Sequence, residues 1–165
     1  MNFRIVPIAR EDAGIIAEWA YPPPYDFYNM NTEVGIEREL MDGSYAAVYQ
    51  NQQLAGYVCF GENARIPSGE KQGLYEGSGI IDIGFGMDPE LTGQGKGREF
   101  LRSILDYTEK TYRPAVIRLT VAAFNKRALK VYKSCGFINV MVLETEAEQN
   151  NTTYIIMERM VSEVQ

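Results

Sequence analysis

Histidine is absent from all 165 residues, and cysteine occurs only as Cys59 and Cys135. The first absence excludes a histidine general base, the usual serine triad and most zinc sites, since two separated cysteines cannot complete a metal site alone. Any proton transfer must use carboxylate, tyrosine, lysine or water. The second scarcity excludes a disulfide framework, and the expectation is two free thiols acting as small core residues. Positive charge is also short: 16 Lys and Arg against 22 Asp and Glu leave a net charge of −6. Without a basic stripe to displace counterions from a phosphate backbone, nucleic acid is not an expected partner, and small molecules or proteins are favoured. No apolar run approaches the length of a bilayer span, so no membrane partner is expected. The opening residues MNFRIVPIAR lack the apolar stretch and cleavage site of a secretory signal. A cytoplasmic location is the resulting expectation.

What is present suits one globular domain spanning residues 1–165, with 45% hydrophobic and 23% charged residues and no repeat or linker. Phe3 to Ile8 alternates as a strand, and Glu11 and Asp12 open a helix running to about Ala20. "YPPPYDFYNMN" follows, a proline-stopped loop carrying Tyr21, Tyr25, Phe27 and Tyr28. Glu33 to Met41 reads as a helix, and Ser44 to Tyr49 and Leu54 to Phe60 as a hairpin turning through "QNQQ". Gly61 to Gly79 has neither hydrophobic period and reads as a long mobile loop. Ile80 to Met87 is an apolar strand. Gly97 to Tyr112 is an amphipathic helix with Leu101, Ile104, Leu105 and Thr108 on one face. Val116 to Val121, a helix opened by Asn125 and running through Ser134, and a hairpin of Phe137 to Glu144 with Tyr154 to Met160 complete the chain.

Between the apolar strand and the amphipathic helix lies "LTGQGKGREF". Gly93, Gly95 and Gly97 let the backbone approach an anion and turn successive amides toward it, and the helix start adds its positive dipole end. The P-loop requires Ser or Thr after Gly-Lys, whereas Gly97 follows Lys96 here. The dinucleotide fingerprint requires a different glycine spacing and a place in the first strand-helix unit. A pyrophosphate fits the loop, and so does a surface turn with no ligand.

"DIGFGMDPELTGQGKGREFL", followed by "NKRALKVYKSCGF", resembles the GNAT N-acetyltransferases, especially their bacterial ribosomal-protein-acetyltransferase-like and small-amine branches. The likeness covers nearly the whole chain in element order and is specific in these two segments. It implies the acyl-CoA N-acyltransferase fold, an α/β (α+β) domain with a mixed, bent sheet of about seven strands flanked by about four helices. Strands 4 and 5 are splayed in that fold. The implied activity is acetyl transfer from acetyl-CoA to a primary amine of a small molecule or peptide, directly within a ternary complex and with no metal.

The family's (Arg/Gln)-x-x-Gly-x-(Gly/Ala) signature aligns with Thr92, Gly93, Gln94, Gly95, Lys96 and Gly97. Thr92 departs from it, keeping an amide and a hydroxyl while losing the longer reach. Phe85, Gly86 and Met87 match the strand that pairs with the pantetheine arm, and glycines inside a strand are independently a sign of a bulge or close backbone approach. Asn125 matches a cofactor-contacting asparagine and also suits a plain helix N-cap. Tyr132 matches the tyrosine that protonates the departing thiolate, although its spacing from Ala128 and Cys135 equally suits core packing. Some relatives carry a glutamate base where Thr120 stands here. Asp82, flanked by Ile81 and Ile83, is the alternative base, and alternation points it either at the cleft or at solvent; a water chain rivals it. The resemblance makes Tyr25 and Tyr28 walls of the acceptor site, and Asp26, Glu62 and Glu70 on candidate rim loops suit a cationic amine. Two other classes compete: a non-catalytic acyl-CoA-binding sensor or interaction module, and a nucleotide-binding protein stabilised by ATP or NAD. A homodimer stays among the expected partners, since nothing in the residues decides oligomeric state.

Overall fold

The computed structural model describes residues 3–31, 33–146 and 151–162. They contain seven strands in the order β1-β2-β3-β4-β5-β7-β6 and form two compact units, Met1–Cys59 with Phe85–Ile104, and Phe60–Gly84 with Leu105–Gln165. Strand β4 (Ile80–Met87) gives residues 80–84 to the second unit and 85–87 to the first, and helix α4 (Gly97–Tyr112) gives residues 97–104 to the first and 105–112 to the second.

In the first unit, β1 (Phe3–Pro7) and β2 (Tyr45–Gln50) pair antiparallel, as do β2 and β3 (Gln53–Phe60). The β2-β3 turn places Asn51 and Gln52 at positive φ, 50° and 69°, the backbone twist that tight hairpins favour. Helix α1 (Arg10–Ala17) starts where the Asp12 carboxylate accepts the Ala9 amide at 2.9 Å. Its Ala13 and Ile16 are buried with Leu40 of α2 (Ile36–Leu40). That second helix is shorter than the sequence predicts, because Gly35 at φ 80° is its N-cap. Phe100 of α4 is buried against Phe3, with ring centroids 5.4 Å apart.

In the second unit, β4 and β5 (Val116–Ala122) run parallel, with Ile80, Ile81 and Asp82 opposite Val116, Ile117 and Arg118. Antiparallel pairings join β5 to β7 (Asn151–Met160) and β7 to β6 (Ile138–Glu146). Helix α5 (Lys126–Ser134) buries Leu129, and the second half of α4 buries Leu105 and Thr108. The connection between the last two strands, residues 147–150, lies outside the described residues.

The expectation for Gly61 to Gly79 is corrected. A 3-10 turn (Gly61–Ala64) leads into helix α3 (Pro67–Lys71), and Tyr75 beyond it is only 5% exposed. The segment lacks a hydrophobic period because polar contacts hold it. Cys59 and Cys135 are both buried, and neither is in a disulfide.

Candidate active site

The glycine loop follows β4 in the first unit. Gly93 and Gly95 sit at φ 74° and 77°, a region that costs residues with a Cβ roughly 1–2 kcal/mol. Nothing lies within 4 Å of where a Cβ at Gly95 would be, so backbone conformation, not space, requires glycine there. Helix α4 begins as the Phe100 amide donates to the Lys96 carbonyl at 3.0 Å. Its earlier amides have no acceptor within the helix, and the helix dipole adds positive potential there. The Thr92 hydroxyl donates to the Pro89 carbonyl at 2.8 Å and the Gln94 amide nitrogen donates to the Glu90 carbonyl. Both side chains therefore brace the turn, leaving anion contact to the backbone.

Upstream of the loop, Phe85, Gly86 and Met87 are partly exposed. The Phe85 ring packs toward Phe100, with centroids 6.2 Å apart, which fixes the strand by its side chain. A Cβ on Gly86 would stand 2.7 Å from Tyr57 Cε1 and 2.9 Å from its hydroxyl oxygen. Glycine is thus what allows the Tyr57 phenol to lie against this backbone. The Tyr21 hydroxyl donates to the Met87 carbonyl at 2.6 Å, and burial, reinforced by Asp88, pushes that phenol well above its ordinary value. Tyr21 therefore remains a neutral donor. Tyr25 and Tyr28 belong to the 3-10 turn Tyr25–Tyr28, each partly exposed, with the Phe27 ring perpendicular to that of Tyr28 at 5.2 Å.

The remaining predicted residues lie in the second unit. Asn125 caps α5, its side-chain oxygen accepting the Ala128 amide at 3.1 Å. Tyr132 is partly exposed on α5, with its ring 6.3 Å from that of Phe137. Asp82 is 1% exposed. Its Oδ1 accepts Arg118 Nε at 2.6 Å, and its Oδ2 accepts both Arg118 Nη2 and Arg65 Nε at 2.8 Å. Two guanidinium groups thus occupy both oxygens of the candidate base. Alternation could not orient Asp82 because β4 is buried at both Asp82 and Ile83, the inserted segment supplying Arg65 to the carboxylate. Arg65 also pairs with Glu70 at 2.9 Å. Burial alone would lower the Arg65 guanidinium, but its bonds to Glu70 and Asp82 outweigh that and raise it.

Sequence reasoning missed this network. Arg118 donates further to the Tyr75 and Glu76 carbonyls, and its guanidinium lies 5.1 Å from the Tyr75 ring centroid. The Tyr75 hydroxyl accepts the Ile66 amide at 3.2 Å and bonds Thr120 Oγ1 at 2.8 Å. A signal was present: charged residues inside the apolar runs "IIDIG" and "VIRLTV" are almost never buried unless paired. Tyr57 and Glu39, which flank Gly86 and Tyr45, were also missed; neither falls in a motif.

Three known proteins bear on the arrangement. N-alpha-acetyltransferase RimI of Mycobacterium tuberculosis is 34% identical over 96 residues, 58% of this chain and 52% of that protein. The chain therefore aligns with about half the length of that relative. A spermidine N-acetyltransferase SpeG chimera from Vibrio cholerae and hSSAT superposes with a TM-score of 0.70 at 20% identity, covering 97% of this chain and 96% of that one. The ribosomal-protein-S18-alanine N-acetyltransferase from Escherichia coli superposes with a TM-score of 0.66 at 20% identity, covering 99% and 96%. At such identities the two structures speak for the fold. Residues 9–137 match the acetyltransferase (GNAT) family, and with that match over most of its length the chain belongs to the GNAT acetyltransferases.

Proposed function

We propose that the protein is an N-acetyltransferase using acetyl-CoA as co-substrate and a primary amine of a small molecule or peptide as acceptor, with residues 1–165 as one catalytic domain in the cytoplasm. The observation that carries this reading is the loop after β4, where Gly93 and Gly95 at positive φ open the amino end of α4. The amides of Thr92, Gly93, Gln94, Gly95, Lys96 and Gly97 take the pyrophosphate. The backbone of Phe85, Gly86 and Met87 takes the pantetheine arm, with Asn125 a further contact and Tyr25 and Tyr28 walling the acceptor.

In the proposed reaction the neutral amine attacks the thioester carbonyl carbon, forming the C–N bond and a tetrahedral oxyanion that a backbone amide of β4 stabilises. The C–S bond then breaks, and the Tyr132 phenol gives its proton to the thiolate. With three guanidinium N–H bonds on its oxygens, Asp82 is a poor acceptor for the ammonium proton. We assign that proton to water and give Asp82 the task of holding the inserted segment on the sheet. The lack of a free carboxylate base among the predicted residues also favours, as a second reading, a sensor that binds acetyl-CoA without turnover. A free-thiol assay with acetyl-CoA against polyamines, amino acids, aminoglycosides and peptide amino termini separates the two. Amine-dependent thiol release supports the enzyme, and binding without release for every acceptor supports the sensor.

A homodimer is part of the same proposal. Strand β6 ends the sheet, and Ile138, Val140, Met141 and Val142 are 40–62% exposed on it. An apolar edge strand is a template for another strand, and we assign a second copy of the chain to it.

A further inference from the structure

Among the described residues, two partly buried glutamates have a cation, Glu70 with Arg65 and Glu109 with Arg159. Glu39 on α2 is likewise partly buried, yet among the described residues no arginine or lysine pairs with it. Its Oε2 accepts the Tyr45 hydroxyl at 2.7 Å. Burial first, then the neighbouring Cys59 and the bond to Glu39, push that phenol far above its ordinary value. Tyr45 is thus a neutral donor to the Glu39 carboxyl group. A partly desolvated carboxylate without a cation is costly to hold.

The surroundings of Glu39 suit a cation supplied from outside. The Tyr45 ring lies 6.0 Å from that of Tyr57, and Tyr57 lies 6.4 Å from Trp19. Trp19 and Tyr57 are both partly exposed, and aromatic faces attract ammonium groups. At its other end the Tyr57 phenol rests against Gly86. Tyr57 and Tyr45 therefore connect the backbone assigned to the pantetheine arm with a carboxylate that has no cation among the described residues, all within the first unit.

Resting on the acetyl-transfer reading, we infer that Glu39 is a specificity residue that holds a second cationic group of the acceptor. The alkyl chain between the two nitrogens lies over Tyr57 and Trp19 while the uncharged amine meets the acetyl group at Gly86. An alkyl diamine has this chemistry, and so does a short peptide whose amino terminus reacts and whose lysine side chain supplies the second charge.

The test compares diaminopentane with pentylamine, and a lysine-containing tripeptide with its alanine counterpart, in wild type, Glu39→Gln and Glu39→Asp. Both KM and calorimetric binding of the amine are read. A charge-assisted contact predicts that wild type prefers the dication by about ten- to a hundred-fold. Glu39→Gln collapses that ratio toward unity, with the loss in KM and not kcat, and Glu39→Asp restores part of it. Whichever pair shows the Glu39-dependent ratio identifies the source of the dication. No preference in wild type, or a preference that survives Glu39→Gln, overturns the inference. Thiol release without Glu39 dependence refutes the recognition role alone, whereas Glu39-dependent binding with no thiol release for any amine refutes acetyl transfer and leaves recognition standing.

Discussion

Arg118→Met tests what holds the inserted segment. The substitution removes a guanidinium 2% exposed and leaves the Asp82 carboxylate, 1% exposed, with Arg65 as its remaining cation. Removing one partner of a buried pair costs about 3–5 kcal/mol, because a charge is left uncompensated. The Arg65 side chain, 27% exposed, still balances that charge, so the lower figure applies, about 3 kcal/mol. In a chain of this size each kcal/mol moves the melting temperature by roughly 2–4 °C, which gives a fall of about 6–12 °C. Urea titration and calorimetry measure it. Pairing the change with Asp82→Leu removes the buried charge as well, and the double variant is expected to recover more than half of the loss. A fall below about 3 °C for Arg118→Met would place the pair with exposed salt bridges and refute the assignment of Asp82 to structure.

Gly95→Ala forces a Cβ into φ 77°, a cost of about 1–2 kcal/mol. Borne by the bound conformation, it raises KM for acetyl-CoA about 5- to 30-fold in steady-state assays. Tyr45 has a folded pKa raised above its unfolded value near 10. Its contribution to stability is therefore complete below pH ~10 and lost as pH rises beyond that. Melting temperatures recorded from neutral to strongly alkaline pH should fall on the alkaline side, less steeply for Tyr45→Phe. Val142→Lys places a charge on the exposed β6 edge and should convert the proposed dimer to monomer by light scattering; a wild-type protein that is already monomeric contradicts the dimer.

Where a hydrophobic period or a glycine marked an element, the sequence was legible. The limits of β4 and α4 are those expected, because an apolar run ends at Met87 and the helix opens at Gly97. Asn125 was foreseeable as the cap of α5 because its side chain acts locally, on the Ala128 amide. Gly61 to Gly79 was not legible. Its order comes from Arg65 on Asp82, Tyr75 on Thr120 and Arg118 on two carbonyls, and such polar bonds between distant positions leave no period in a sequence. For the same reason Asp82 could be proposed as a base, whereas its commitment to two arginines needed coordinates. Glu39 was equally hidden: its importance lies in the cation it lacks and in the Tyr45 and Tyr57 rings beside it.

Direct acetyl transfer with Tyr132 as the acid is tested by comparing wild type with Tyr132→Phe in amine-dependent release of the CoA thiol, with acetyl-CoA binding measured in parallel. Wild type is expected to release thiol in an amine-dependent way, and Tyr132→Phe to show a kcat about 10²–10⁴-fold lower with acetyl-CoA still bound. Equal rates for the two proteins, or binding of acetyl-CoA by wild type with no thiol released to any amine, would contradict it.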